Sequence, residues 1–398
     1  MVRQRMRIGV FFFVLLFFLI SRTSWASSRV KITVFVHGTI LPGLMLVSPH
    51  TLFQADISDE AAYARLVHRV RDHADLFEAS PILGLGLTEI LPMDIAAVRN
   101  HTLELPKARS AAYFVVSGYD AVARASSIGD MDYRYALFGW SGMISQRERK
   151  DAGYALYDYV CELYKRYRKN YTHVQINLVA YSHGGNVALW LADAEAHKQK
   201  KLLIDTLVLL GTPIQQETAG FIGSPVFSSI FSLYSDGDTV QTIDSVSTKL
   251  SMSFARMGNL ANLSGVMRKY AACKRSDVRL LVNGVSGLGH EELFQMTRQA
   301  VHPTSGTLPL VVFIPAIIAQ VMDYRCVHFD AHIDLTEKQV LIHVASDGAF
   351  PCLKRADIPR GNLYSVVTAA QRAAERWGGK EVGMLSQTLQ AFKYARQT

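Results

Sequence analysis

The chain has 398 residues, 49% of them hydrophobic and 19% charged, the balance of a folded globular protein and not of a disordered one. That length accommodates one large domain or two ordinary ones. The formal net charge is +8, but no Lys/Arg cluster is interleaved with aromatics, which argues against a nucleic-acid partner.

The first 26 residues stand apart from the rest. Arg3, Arg5 and Arg7 precede an apolar run over 8–20, and Ser24-Trp25-Ala26 supplies small residues where a signal peptidase cuts. This is the three-part order of a secretory signal peptide, so an exported protein, secreted or periplasmic, is expected. The alternative is a membrane anchor formed by residues 8–20. Its thirteen residues fall short of the ~20 that span a bilayer. Removing residues 1–26 takes away four arginines and no acid, which lowers the net charge from +8 to +4. The basicity is therefore partly an export feature.

From residue 27 strands and helices alternate, the pattern of a mostly parallel central sheet flanked by helices. A buried strand over 30–36 ends at His37-Gly38-Thr39. Residues 41–130 then interrupt the rhythm and read as an insertion after the first strand. They comprise a polar helix over about 59–74, a Gly/Pro-rich apolar stretch over 80–93 and a strand near Tyr113. The next strand, 135–140, breaks at Ser141-Gly142. A helix over 147–169 follows, with Ala152, Ala155, Leu156, Tyr159, Val160 and Leu163 on its apolar side.

The strand 174–180 leads into Ser182, and a helix over about 183–196 begins at once. Strand 206–210 ends in Gly211-Thr212-Pro213, and strand 227–234 ends at Ser235-Asp236-Gly237-Asp238. The last clear strand of this series, 278–285, ends in Gly287-Leu288-Gly289-His290. Residues 27–300 thus form an α/β core, and 301–398 a C-terminal extension packed on it or continuing it. Within the extension, 308–322 is strongly apolar despite Pro309 and Pro315. It reads as buried core, or else as a lid or a surface in transient contact with lipid. Alternation over 326–335 places Val327, Phe329, Ala331, Ile333 and Leu335 on one face and His328, Asp330, His332 and Asp334 on the other. That is one strand of a hairpin with a wet face; a metal site is the rival reading. The four cysteines are Cys161, Cys273, Cys326 and Cys352. Export would allow disulfides in three connectivities, and buried free thiols fit equally, since Cys161 lies in an amphipathic helical pattern. There is no CxxC, and no metal or cofactor is expected.

Chemistry concentrates at Ser182. Small residues stand two before it (Ala180) and two after it (Gly184), between a strand and a helix. A turn that tight lifts a serine hydroxyl above the sheet edge and aims the next backbone N–H at a substrate. The bland alternative is a serine capping the helix. Gly139-Trp140-Ser141-Gly142 is a decoy, because Met143 occupies the place of the second small residue. Ester cleavage also needs a base, an acid to orient it and an oxyanion hole. Asp238, with Val240 shortly after it to start the next packed segment, is the first choice for the acid. Asp236 is the alternative and Asp244 a distant third. His290, between flexible glycines and a helix start, is the base. The oxyanion donors are the backbone N–H of His183 and that of Thr39 or Ile40. His37 reads as a structural brace for that loop.

The segments Phe35-Val36-His37-Gly38-Thr39, Ala180-Tyr181-Ser182-His183-Gly184-Gly185 and Leu210-Gly211-Thr212-Pro213, with the Asp238 and His290 loops, together resemble the lipase-like α/β-hydrolases. The Leu-Gly-Thr-Pro looks most like the branch of bacterial triacylglycerol lipases and GPI-inositol-deacylase-like serine esterases. The resemblance covers 30–40 and about 134–295. It implies an α/β-hydrolase fold and a carboxylic-ester hydrolase, an esterase or lipase that forms an acyl-enzyme on Ser182. The substrate would be a small-molecule or lipid ester, and no protein partner is expected. An acyltransferase using the same triad, and a catalytically inactive binding protein on this scaffold, are the alternatives. Ala180 stands where Gly is commoner, and neither 41–130 nor the tail after 295 matches the pattern.

Overall fold

The computed structural model describes residues 28–38, 86–100, 102–103, 111–126, 130–142, 146–238, 274–282, 284, 293, 310–322, 328–335, 339–346 and 355–359. The signal-peptide segment, the 59–74 helix, Thr39, Ile40, Asp244, His290, Cys273, Cys326 and Cys352 all lie outside the described residues.

Among the described residues, ten strands form one sheet. They are β1 (Arg29–Val36), β2 (Gly86–Ile90), β3 (Asp132–Gly139), β4 (His173–Tyr181), β5 (Thr206–Leu210), β6 (Ser229–Tyr234), β7 (Lys274–Val282), β8 (His328–Leu335), β9 (Gln339–Ser346) and β10 (Arg355–Pro359). Their order is β10-β9-β8-β7-β6-β5-β4-β1-β3-β2. Every neighbouring pair from β3 across to β8 is parallel, and β2, β9 and β10 add antiparallel margins. The central strands β5 and β6 are buried throughout, Thr206, Ser229 and Ser232 included. Strands covered on both faces read in this way, without alternation.

Helices cover both faces. Alternation along β1 sends Phe35 into one cluster and Val34 and Val36 into the other. The first cluster seats α1 (Pro92–Arg99), α2 (Ala111–Ser126), a 3₁₀ turn (Leu310–Phe313) and α7 (Ile314–Val321). The second seats α3 (Gln146–Tyr167), α4 (Gly184–Leu189) and α5 (Leu191–Lys198); a short α6 (Gln216–Ala219) follows β5. Asp120 of α2 is 1% exposed and accepts hydrogen bonds from Tyr135 of β3 (3.0 Å) and from Arg124 (2.9 and 3.0 Å), as well as from Arg99 of α1. One buried carboxylate thus ties two helices to the sheet.

Several expectations are corrected by the packing. The segment near Tyr113 is the helix α2, not a strand. Its β-formers Tyr113, Val116 and Val122 are all buried in the cluster on that face of the sheet, so tertiary burial overrides local propensity. The helix after Ser182 divides at Trp190 into α4 and α5. On α3 the buried side carries Gly153, Tyr157 and Cys161 as well as Leu156, Val160 and Leu163, while Tyr159 is 40% exposed. Gly153 sets that rotation: a Cβ there would lie 2.4 Å from the Trp190 Cβ and 2.8 Å from the Val187 carbonyl, so the two helices meet at the glycine. Cys161 is a free, buried thiol, its pKa raised by burial.

Strands continue past β7. β8 pairs parallel with β7 and antiparallel with β9, burying Phe329, Ala331 and Ile333 and leaving His332 and Asp334 partly exposed. The apolar run 310–321 is core: Val311, Phe313, Ile314, Ile317 and Val321 are essentially inaccessible, packed against α2 and β9. Ala319, on the same run, and Met322, just after it, are exposed. No helix among the described residues is long and apolar enough to cross a membrane.

Candidate active site

Because the strands from β3 to β8 run in one direction, the loops after their carboxyl ends gather on one edge of the sheet. Gly38 follows β1, Trp140 follows β3, Ser182 follows β4, Thr212 follows β5 and Asp238 follows β6. Chain order reverses between β1 and β4, since β2 and β3 lie on one side of β1 and β4–β10 on the other. Open α/β sheets form their ligand crevices at such a reversal. Ser182 and Gly38 flank it.

Ser182 is 4% exposed and has φ 51°. It is one of only three non-glycine residues with positive φ among the described residues, and that region costs an L-residue about 1–3 kcal/mol. The surroundings hold it there. Its N–H donates to Leu210 O (2.9 Å), and its carbonyl accepts from Gly185 N–H (2.9 Å). A Cβ at Gly184 would stand 2.3 Å from His37 O, one at Gly38 2.7 Å from Ser182 Cβ, and one at Gly185 2.1 Å from Thr212 Oγ1. The small residue expected at 184 is thus a requirement of strand β1 passing beneath it. Gly38 and Gly185 are further glycines demanded by close approach, which chain spacing around Ser182 alone did not identify.

His37 braces the loop. Trp140 N–H donates to His37 Nε2 (3.1 Å), Trp140 Nε1 donates to His37 O (2.7 Å), and the two rings stack at 5.7 Å. His37 Nδ1 lies 2.7 Å from Gly38 O. An amide N–H only donates and a carbonyl only accepts, so the imidazole is neutral with its hydrogen on Nδ1. With both nitrogens engaged it has no role as a base. Trp140, in the segment singled out as a decoy, is therefore a clamp on the first strand's loop.

His183, 4% exposed, directs Nδ1 at Arg149 Nη1 (3.0 Å) and lies 3.4 Å from Asn186 Nδ2. Asn186 also donates to Pro213 O (3.0 Å) and accepts from Gln215 N–H (3.2 Å) and Thr218 Oγ1 (2.6 Å). It pins the helix after Ser182 to the segment following Leu210-Gly211-Thr212-Pro213. Sequence reading missed both Arg149 and Asn186. For Asn186 the available signal was a polar residue inside an otherwise buried stretch; Arg149, among charged neighbours, gave none.

The acid candidates separate by environment. Asp238 is 6% exposed, its N–H bonded to Ser235 O (3.2 Å). The Asp236 side chain is 36% exposed and sits 3.5 Å from Arg279 Nη1. Arg279 also grips Asp330 through two hydrogen bonds of 2.9 and 2.6 Å, and these hold its guanidinium pKa well above the ordinary value. Asp236 is part of a surface ion network; Asp238 is enclosed at the sheet edge. β6 is two strands from β4, or about 10 Å. An imidazole with hydrogen bonds of about 2.8 Å at each nitrogen spans much of that gap.

No protein-family model, curated protein or solved structure matches the chain.

The chemistry open to the site follows from its own residues: a strained, nearly enclosed hydroxyl at a sheet reversal, with a peptide N–H immediately after it and a buried carboxylate on the same edge. Among the described residues, no group of three or more His, Cys, Asp or Glu side chains is placed to hold a metal ion. On the hairpin, His332 and His343 stack with centroids 4.6 Å apart and planes 4° from parallel, so their lone pairs do not converge on a common point.

Proposed function

We propose that the chain is a serine hydrolase of carboxylic esters, an esterase or lipase of the α/β-hydrolase kind, exported and acting through an acyl-enzyme on Ser182. The observation that carries this reading is the φ of 51° at Ser182, a non-glycine residue held in the left-handed region between a buried strand and a helix. A serine that only caps a helix has extended backbone and needs no such strain. Gly38, packed against Ser182, and Gly184, packed against the end of β1, support the same reading, as does the sheet reversal beside them.

In this proposal His290 takes the Ser182 proton as Oγ attacks the ester carbonyl, and Asp238 orients the imidazole. The N–H groups of His183 and of Thr39 or Ile40 receive the charge developing on the carbonyl oxygen. Collapse of the tetrahedral intermediate expels the alcohol, which takes a proton from His290. Water, activated by the same imidazole, then releases the acid and restores Ser182.

The test is labelling of the processed, folded protein with a fluorophosphonate probe, followed by peptide mapping. The expected product is one adduct on Ser182. Absence of labelling, or an adduct on Ser141 or another serine, would end the assignment. The acid is tested separately with p-nitrophenyl esters. Asp238→Asn is expected to lower kcat by about 10³–10⁴-fold, the loss that follows when a triad carboxylate no longer orients its histidine. Asp236→Asn should stay within about threefold, as expected for a surface ion pair. The opposite ranking would move the role to Asp236.

A further inference from the structure

The apolar stripe of α3 contains one residue that does not belong there on stability grounds. Arg149 is 1% exposed and lies on the buried side with Gly153, Leu156 and Val160. It also falls in the first turn of α3, where the helix macrodipole disfavours a cation. Burying a guanidinium is costly even when it is hydrogen-bonded, and an apolar side chain of similar volume is often as stable or more so. The packing of α3 onto the sheet therefore does not account for an arginine at this position.

What the arginine touches does account for it. Nη1 of Arg149 is 3.0 Å from Nδ1 of His183, the residue directly after Ser182. A guanidinium has donors only, so Nδ1 of His183 accepts, the ring hydrogen sits on Nε2, and the imidazole is neutral. Asn186 Nδ2, another donor, is 3.4 Å from the same nitrogen. A proton on Nδ1 would break the contact and set two cations face to face in a buried site. His183 is in this way denied the role of base, and its ring is locked against α3.

We infer that Arg149 is a positioning residue for the proposed hydrolase site: by gripping His183 it fixes the orientation of the His183 peptide N–H toward the oxyanion. The kinetic consequence rests on the serine-hydrolase reading; the tautomer of His183 does not. Ser182 is strained and its neighbour carries the oxyanion donor, so the peptide between them needs an anchor outside the turn. Arg149 supplies it from a rigid, long helix, with a side chain whose planar fork is pre-organised for the contact.

The experiment uses the full processed chain with Arg149→Met, Arg149→Lys, His183→Gln and the double variant Arg149→Met/His183→Gln. Imidazole nitrogen spectra at neutral pH, with the His183 signals assigned by their loss in His183→Gln, should show the neutral Nε2–H form in the wild type. In Arg149→Met they should show a mixture of tautomers. On short p-nitrophenyl esters Arg149→Met should lower kcat by about 30-fold with KM within about twofold, because the donor acts on the developing charge and not on ground-state binding. Arg149→Lys should recover part of the loss. In the His183→Gln background the Arg149→Met change should add less than about twofold, the sign that Arg149 acts through His183.

Folded Arg149→Met with full kcat, beside an active wild type labelled at Ser182, would overturn the inference and leave the hydrolase reading standing. Additive losses, or a His183 ring in any other form, would also overturn it. A wild type inert to ester and probe would end both readings. If Arg149→Met fails to fold, Arg149→Lys carries the kinetic and spectroscopic arms alone, and unchanged values there overturn the proposal.

Discussion

Ser182→Ala is expected to cut p-nitrophenyl ester turnover by at least about 10⁴-fold, in line with the loss of a nucleophile whose partners remain, and to abolish fluorophosphonate labelling. The fold should be indifferent to the change. Alanine meets the same steric penalty at φ 51° as serine does, because both carry a Cβ. The backbone bonds that close the turn, from Ser182 N–H to Leu210 O and from Gly185 N–H to Ser182 O, do not involve the hydroxyl. A thermal melt should therefore place the variant within about 0.5 kcal/mol of the wild type. Ser182→Gly sharpens the test. Glycine enters the left-handed region without penalty, so this variant should be equally inactive yet more stable by up to about 1 kcal/mol. Such a pairing, stability gained as activity vanishes, marks strain held for function. Ser182→Ala with undiminished turnover would remove Ser182 from the chemistry altogether.

Gly184→Ala carries the second large effect, on both stability and activity. Its Cβ would lie 2.3 Å from His37 O and 2.8 Å from Val36 O. These are backbone atoms at the end of β1, a strand paired on both sides, so no side-chain rotation relieves the clash. Overpacking of this kind costs about 1–3 kcal/mol, occasionally more. The easiest relaxation lifts the start of α4 away from β1, taking His183 and Ser182 with it. A displacement near 1 Å at reacting groups costs about 10²-fold, so kcat/KM should fall at least that far in whatever fraction still folds. Gly220→Ala is the control. A Cβ there meets nothing within 4 Å, and its melt and kinetics should match the wild type. Equal melting temperatures for Gly184→Ala and Gly220→Ala would show that β1 does not pass as closely beneath Ser182 as the structure has it.

Legibility in the sequence was high where constraints are local. β4, the turn at Ser182 and the helix after it were readable because strand period, small flanking residues and the onset of a helical pattern lie within one short window. The buried strands β1, β5 and β6 were readable because a strand covered on both faces is rich in apolar β-formers without strict alternation. Reading failed where a distant partner decides. Tyr113 and Val116 look like strand residues until the sheet face beneath α2 takes them up as a helix stripe. Tyr159 looks apolar enough to be buried until Gly153 turns α3 toward Trp190. Arg149 looks like one more basic residue until His183 is seen against it.

By itself, the order of residues determined that an α/β chain places Ser182 at a tight strand-to-helix turn, with Asp236 and Asp238 after a later strand. Each of those conclusions depends on neighbours in the chain, and neighbours are what a sequence states directly. Tertiary structure alone decided the rest: that Gly38 lies against Ser182, that chain order reverses between β1 and β4, that Asp238 is enclosed while Arg279 holds Asp236 at the surface, and that Arg149 reaches His183. Those relations join residues far apart in the chain. They exist only once the strands are ordered and both faces of the sheet are covered, because that packing sets which surfaces meet and how closely.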